Sequence, residues 1–132
     1  MIDKRDLIEL RGLVVSGTHG MLDEERQRAQ PFEVDVDLVM DLSAAGETDD
    51  LSQTVDYGSV VSSVAAVVGG AHCELLEHLA QRIIDAIFES VSCPPGEQPL
   101  EELTVTVRKT RPPVAYPMTS AGVRLTRRAS RR

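Results

Sequence analysis

From Phe32 to Leu42 the sequence alternates with period two: Phe32, Val34, Val36, Leu38, Met40 and Leu42 fall on one side, Glu33, Asp35, Asp37 and Asp41 on the other. Successive strand side chains point to opposite faces, so this stretch predicts a strand with one buried face. An earlier run, Leu7 to Val15, also predicts a strand, with Leu7, Leu13 and Val15 making its second face partly apolar. The two are expected to pair antiparallel. Between them lie Gly17, Thr18, His19 and Gly20 and then the charged stretch Asp23 to Arg28. That connection is longer than a tight hairpin allows, and loops of this kind carry function.

After Tyr57 the period changes. Val60, Val61, Val64, Val67 and Val68 fall at helical spacing before Gly69 and Gly70 stop the run. Valine is a mediocre helix former, so packing must hold this first helix. The second is clearer, because Leu75, Leu76, Leu79, Ala80, Ile83, Ile84, Ile87, Phe88 and Val91 form a broad apolar stripe. The proline-rich connection Ser92 to Pro99 breaks it. Period two then returns in Leu103, Val105 and Val107, and again in Val123 and Leu125 after the Pro112, Pro113 and Pro117 loop. The order ββααββ predicts an α+β domain with two helices on one face of an antiparallel four-stranded sheet. Its Val- and Thr-rich edges invite pairing with other chains, so a ring-like homo-oligomer is expected. Residues 1–123 are taken as the single domain, and 124–132 as a basic end made of the last strand and a flexible tail.

Composition narrows the function classes. A chain of 132 residues with 42% apolar content can build one core without disulfides. The net charge of −7 repels a polyphosphate backbone, and the basic cluster Arg124, Arg127, Arg128, Arg131 and Arg132 is terminal, where a solvated tail is the simpler reading than a nucleic-acid arm. No apolar run approaches a membrane span, and Asp3, Lys4, Arg5 and Asp6 do not make a secretory leader. Cytoplasm is the expected address. Cys73 and Cys93 have neither metal-ligand nor redox spacing, and His19, His72 and His78 form no paired-histidine motif, so no metal is assigned. Twelve of the fourteen basic residues are Arg, which leaves Lys4 and Lys109 as the amines able to exchange protons. Tyr57 and Tyr116 are the only tyrosines available to partner a planar ligand.

Five segments in register carry a resemblance. They are Leu10-Arg11-Gly12 leading to Gly17-Thr18-His19-Gly20; Glu25 through Gln30-Pro31-Phe32; Thr48-Asp49-Asp50 to Thr54-Val55-Asp56-Tyr57-Gly58; Leu75-Leu76-Glu77-His78-Leu79-Ala80; and Val107-Arg108-Lys109 before Pro112-Pro113. Together they resemble the dihydroneopterin aldolase family over nearly the whole chain. The resemblance implies the tunnelling fold, in which four domains join their sheets into a β-barrel ring and two rings stack to an octamer. Two departures stand out: Ala29 where the family often has Gly, and a long Ser92 to Pro99 connection.

The resemblance also implies a site, and residue chemistry fits it. A pterin presents adjacent N–H donors on its amino-pyrimidinone edge, which one carboxylate can accept in parallel. Glu77, at the positive end of the second helix, is the candidate anchor, with the backbone of Leu75 and Leu76 beside it. Tyr57 offers a ring face and a hydroxyl, and the stretch with Val55 and Tyr57 is implied to reach in from a neighbouring subunit. Lys109, flanked by Arg108 and Arg111, is the implied general acid/base, and Glu25 the implied loop carboxylate beside the substrate side chain. Residue type alone leaves plainer roles open: a capping Glu77, a packing Tyr57, a solvated Lys109, and an exposed Glu25 with Glu24 adjacent.

The implied reaction is a retro-aldol cleavage of 7,8-dihydroneopterin in the folate pathway, without metal or organic cofactor, to 6-hydroxymethyl-7,8-dihydropterin and glycolaldehyde. Epimerisation to dihydromonapterin and oxygenation occur in the family as side activities. The competing readings are a dihydroneopterin triphosphate epimerase, and a non-catalytic pterin-binding or assembly subunit.

Overall fold

The computed structural model describes residues 5–91 and 98–129; Cys93, most of the connection from 92 to 99, and Arg131 and Arg132 lie outside the described residues. Four strands, β1 (Leu7–Gly17), β2 (Gln30–Val39), β3 (Glu102–Lys109) and β4 (Ala121–Arg128), form one sheet in the order β1-β2-β3-β4, every pair antiparallel. The alternation marks the core as expected, with Phe32, Val34, Val36 and Leu38 of β2 buried beside Leu103, Val105 and Val107 of β3.

Two details differ from the sequence expectation. In β1 the register shifts between Leu10 and Leu13, where Gly12 adopts a φ of 69° and gives its N–H to Asp35 Oδ1 at 2.8 Å. This bulge inverts the parity of the strand, so Leu13 and Val15 lie opposite Val34 and Phe32 and pack on the core instead of forming a second apolar face. At the other end, β2 stops at Val39 and not at Leu42. Met40 and Leu42 give their N–H groups to the backbone oxygen and the carboxylate of Asp6, and Asp41 accepts from Ser43, so bonds to Asp6 and a local side-chain bond replace the ladder. Met40 stays in the core all the same.

Helices α3 (Tyr57–Val68) and α4 (Leu76–Ser90) pack against each other and cover one face of the sheet, α4 over β3 and β4, α3 toward β1. Asp56 caps α3 by accepting from the Gly58 N–H at 3.0 Å. Val60, Val64 and Val68 are fully buried, as are Leu79, Ala80, Ile83, Ile84 and Ile87 of α4. Each large side chain so buried contributes about 1.5–3 kcal/mol. That outweighs a valine propensity penalty of at most about 0.7 kcal/mol per residue. Gly70 permits the sharp exit from α3, since a Cβ there would lie 2.8 Å from the Ala66 carbonyl oxygen.

Three short elements were not anticipated: α1 (Asp23–Gln27), α2 (Ser43–Thr48) and a 3-10 turn at Leu51–Gln53. Segments of three to six residues are too short to display a helical period. The helix-free face of the sheet is polar, with Arg108 between Glu33 and Asp35 at 3.2 and 2.7 Å and Arg11 between Glu9 and Asp37 at 2.6 and 2.7 Å. No helix among the described residues is long and apolar enough to cross a membrane.

Candidate active site

Neighbouring residues Arg108 and Lys109 have opposite fates because a strand alternates. Arg108 joins the ion pairs of the bare face, whereas Lys109 continues the inward series Leu103, Val105, Val107 and emerges where that apolar stripe ends. There its Nζ meets Glu25 Oε2 at 2.6 Å, with only 12% and 8% of the two side chains exposed. Glu25 is therefore no exposed loop residue. It sits in α1, the one buried residue of that helix, and accepts from Gln30 Nε2 at 3.1 Å and from the Leu22 N–H at 3.4 Å. Burial pushes the Glu25 carboxyl up, but the bonds from Lys109 and Gln30 and the attraction of the ammonium outweigh it, holding the group below its ordinary range. The pair thus sets a carboxylate against an amine where little solvent reaches either side chain.

The turn Gly17-Thr18-His19-Gly20 builds the wall behind this pair. Gly20 has a φ of 141°, and a Cβ there would fall 2.2 Å from Glu25 Oε1, so only glycine lets the carboxylate lie against the turn. The turn also grips the segment entering α4. Gly20 N–H donates to the Cys73 carbonyl at 2.9 Å, Cys73 N–H donates to His19 Nδ1 at 3.0 Å, and His72 Nδ1 bonds the Thr18 carbonyl at 2.5 Å. His19 Nε2 donates to the Val68 carbonyl at 2.6 Å, which fixes the neutral tautomer with its proton on Nε2. Arg26 of α1 pairs with Glu74 at 2.8 Å on the surface above.

Two residues later α4 begins. Leu75, its N-cap, contributes no side-chain cap, and Glu77 lies in the first turn, exposed and without a hydrogen bond or ion pair among the described residues. Leu75 is 48% exposed and Leu76 half-buried. The helix start thus presents free N–H groups and a carboxylate to solvent on the same side of the domain as Lys109 and Glu25.

Tyr57 and Val55 are elsewhere. Val68, at the C-terminal end of α3, touches His19, and α3 is twelve residues long. At about 1.5 Å per residue, Tyr57 stands roughly 17 Å from that contact along the helix axis. It is 62% exposed, while Val55 is buried in the core. A cavity of about 480 Å³ opens among Arg5, Asp6, Val39, Met40, Asp41, Glu101, Glu102 and Arg128. It lies at the end of the sheet opposite Lys109, and three of its four carboxylates, Asp6, Asp41 and Glu102, are bonded to neighbouring groups.

Residues 8–126 match the model of the dihydroneopterin aldolase (FolB) family. The chain belongs to that family. A dihydroneopterin aldolase of Bacillus subtilis is 34% identical over 125 residues, covering 95% of this chain and 99% of that one. One from Streptomyces coelicolor is 37% identical over 122 residues, covering 92% and 97%. Among solved structures, dihydroneopterin aldolase from Burkholderia thailendensis bound to guanine superposes with a TM-score of 0.70 at 25% identity, covering 96% and 93%. The Escherichia coli enzyme in complex with neopterin superposes with a TM-score of 0.79 at 21% identity, covering 92% and 98%, a likeness of fold.

Of the residues singled out from sequence, then, the fold brings Glu25 and Lys109 into contact and places Leu75, Leu76 and Glu77 on the same side. It does not bring Val55 or Tyr57 to them within one chain. Gln30 and His19 were missed as site residues. Gln30 had a legible signal, since it falls two positions before Phe32 and so faces inward in an otherwise apolar series, next to the residue that pairs with Lys109. In the sequence His19 stands within the Gly17–Gly20 turn segment and has no partner spacing for a metal; in the fold both its nitrogens are engaged by the backbone.

Proposed function

We propose that this chain is a 7,8-dihydroneopterin aldolase that works in the cytoplasm on a free reduced pterin. The observation that carries the reading is the nearly buried Lys109–Glu25 pair set on the same side of the domain as the open start of α4. Glu77 accepts the adjacent N–H donors of the amino-pyrimidinone edge, and the α4 N–H groups bind the ring carbonyl side. Guanine shares that edge, which is consistent with the ligand of the Burkholderia relative.

Cleavage needs a proton removed from the side-chain hydroxyl beside the breaking bond and a place for the released electron pair. The dihydropterin ring supplies the second, because its imine is conjugated to the carbon that is cut. The hydroxyl proton is lost, the carbon–carbon bond opens to glycolaldehyde, and the pair moves into the ring as an enol-like intermediate. Protonation of the side-chain carbon then gives 6-hydroxymethyl-7,8-dihydropterin. Lys109 moves protons, Glu25 orients it and contacts the substrate side chain, and Tyr57 adds a hydroxyl and a ring face. If the aldehyde rebinds with its other face, the same intermediate leads to the epimer, dihydromonapterin.

The stretch that carries Val55 and Tyr57 reaches the site from a second copy, with Tyr57 exposed and the Val55 side chain kept in its own core, so the complete site forms only between subunits of a homo-oligomeric ring, a tetramer or a stacked octamer. The support is their separation from Lys109 within the chain and the exposure of Tyr57. Both outer strands of the sheet, β1 and β4, pair on one side only, which leaves each free to extend a barrel. Incubating the protein with 7,8-dihydroneopterin and a chelator, with chromatographic identification of products, tests the reading. Stoichiometric hydroxymethyl-dihydropterin and glycolaldehyde are expected; unchanged substrate, or epimer alone, sinks it.

A further inference from the structure

We infer that His19 is a positioning residue, one that holds the pterin-anchoring start of α4 in place relative to the Lys109–Glu25 pair through its neutral Nε2–H tautomer. The inference rests on the aldolase reading for the roles of Glu77 and Lys109, and on geometry for everything else.

His19 is fully buried and wedged between three elements. Its ring meets Phe32 of β2 edge-on at 5.3 Å and stacks on His72 at 6.2 Å. Nε2–H donates to the last carbonyl of α3, at Val68, and Nδ1 accepts from the Cys73 N–H. Because a peptide carbonyl can only accept and a peptide N–H can only donate, the two bonds require one protonation state and one tautomer. On the other side of the same residue, the Cys73 carbonyl accepts from Gly20 N–H, and Gly20 is the residue against which Glu25 rests. Both polar groups of the Cys73 peptide are therefore clasped by consecutive residues of one turn. Cys73 stands two residues before Leu75, the N-cap of α4, and four before Glu77. The imidazole and its neighbour thereby link the proton-transfer pair to the anchor over a short path with little slack. A merely space-filling histidine would satisfy neither bond in particular.

The two bonds can be removed one at a time. In His19→Asn the amide oxygen falls near the place of Nδ1 and keeps the Cys73 bond while losing the Val68 bond. In His19→Gln the amide nitrogen falls near the place of Nε2 and does the reverse. The expectation is a split: His19→Gln raises KM for 7,8-dihydroneopterin and Kd for the hydroxymethyl product by about tenfold with kcat nearly kept, whereas His19→Asn stays within about threefold in both. Amide hydrogen exchange should speed up over residues 73–77 in His19→Gln and not in His19→Asn. A third readout needs no variant and no substrate: ring nitrogen NMR shifts of His19 in the native protein should report Nε2 protonated and Nδ1 bare. A proton on Nδ1, equal KM in the two variants, or a loss confined to kcat overturns the inference. Failure of the native protein to cleave dihydroneopterin would instead strike the aldolase reading, leaving the tautomer and exchange measurements to decide the role of His19.

Discussion

The two ends of α3 are built on opposite plans. At its C-terminal end the polar groups are densely bonded, with His19 tied to Val68 and Cys73, Glu25 to Lys109 and Gln30, Gly20 to Cys73, and the buried His72 Nε2 alone unpaired among them. At its N-terminal end Tyr57 stands exposed, with capping by Asp56 as the local order. A densely bonded, buried network is rigid and costly to disturb, because each lost partner strands another group. An exposed aromatic side chain at a helix start is free to serve a surface other than its own. The comparison teaches that one end is a completed half-site and the other an offered one.

The largest effect should come from the completed half. Lys109→Ala is expected to lower kcat by about 10²–10⁴ while pterin affinity changes only a few-fold, because the amine moves protons rather than holding the ring. Normal turnover in that variant would refute its role. The offered half is tested by mixing. Lys109→Ala and Tyr57→Ala chains, each inactive alone, should regain about a quarter of native activity after co-refolding at equal amounts, since random pairing around a ring places both native residues at that share of interfaces. No recovery in proven mixed oligomers would put both residues in one chain's site. Glu77→Ala should act on binding first, weakening pterin affinity by about 1.5–3 kcal/mol as measured by titration calorimetry, with kcat less affected.

The smallest effect concerns acid, and it separates the ends by stability. Burial, opposed by the Val68 bond, holds the His19 pKa below its ordinary 6.5, and the bonds from Lys109 and Gln30 prevail over burial to hold Glu25 below 4.5. Both groups bind protons more readily in the unfolded chain. Their contribution is therefore complete above about pH 6.5, begins to be lost below it through His19, and is lost further below about 4.5 through Glu25. The urea midpoint should fall between pH 7 and 4, and in His19→Asn the upper part of that fall should flatten. A midpoint that rises on acidification would show that the packed end is not the acid-sensitive one.

Most of the architecture was legible because it rests on periods. Burial at every second residue of β2 and β3 and along the stripe of α4 follows from one apolar face meeting one core, and no long-range knowledge is needed to see it. β1 misled at Leu13 and Val15 because a single bulge inverts parity, and the bond that makes the bulge, Gly12 to Asp35, joins residues far apart in sequence. Glu25 looked like a surface residue for the same reason. Its burial is conferred by Lys109, eighty-four positions away.

By itself, then, the order of residues determined which segments are strand and helix, which faces are apolar, and which side chains have the chemistry for a pterin site. Only tertiary structure decided that Lys109 and not Arg108 turns toward Glu25, that His19 is held as a neutral tautomer by two peptide groups, and that Tyr57 lies out of reach of both. The reason is one of range. Periodicity is local, propagating residue by residue, whereas the pairing of charges and the tautomer of a buried ring depend on groups brought together when distant strands and helix ends close on each other.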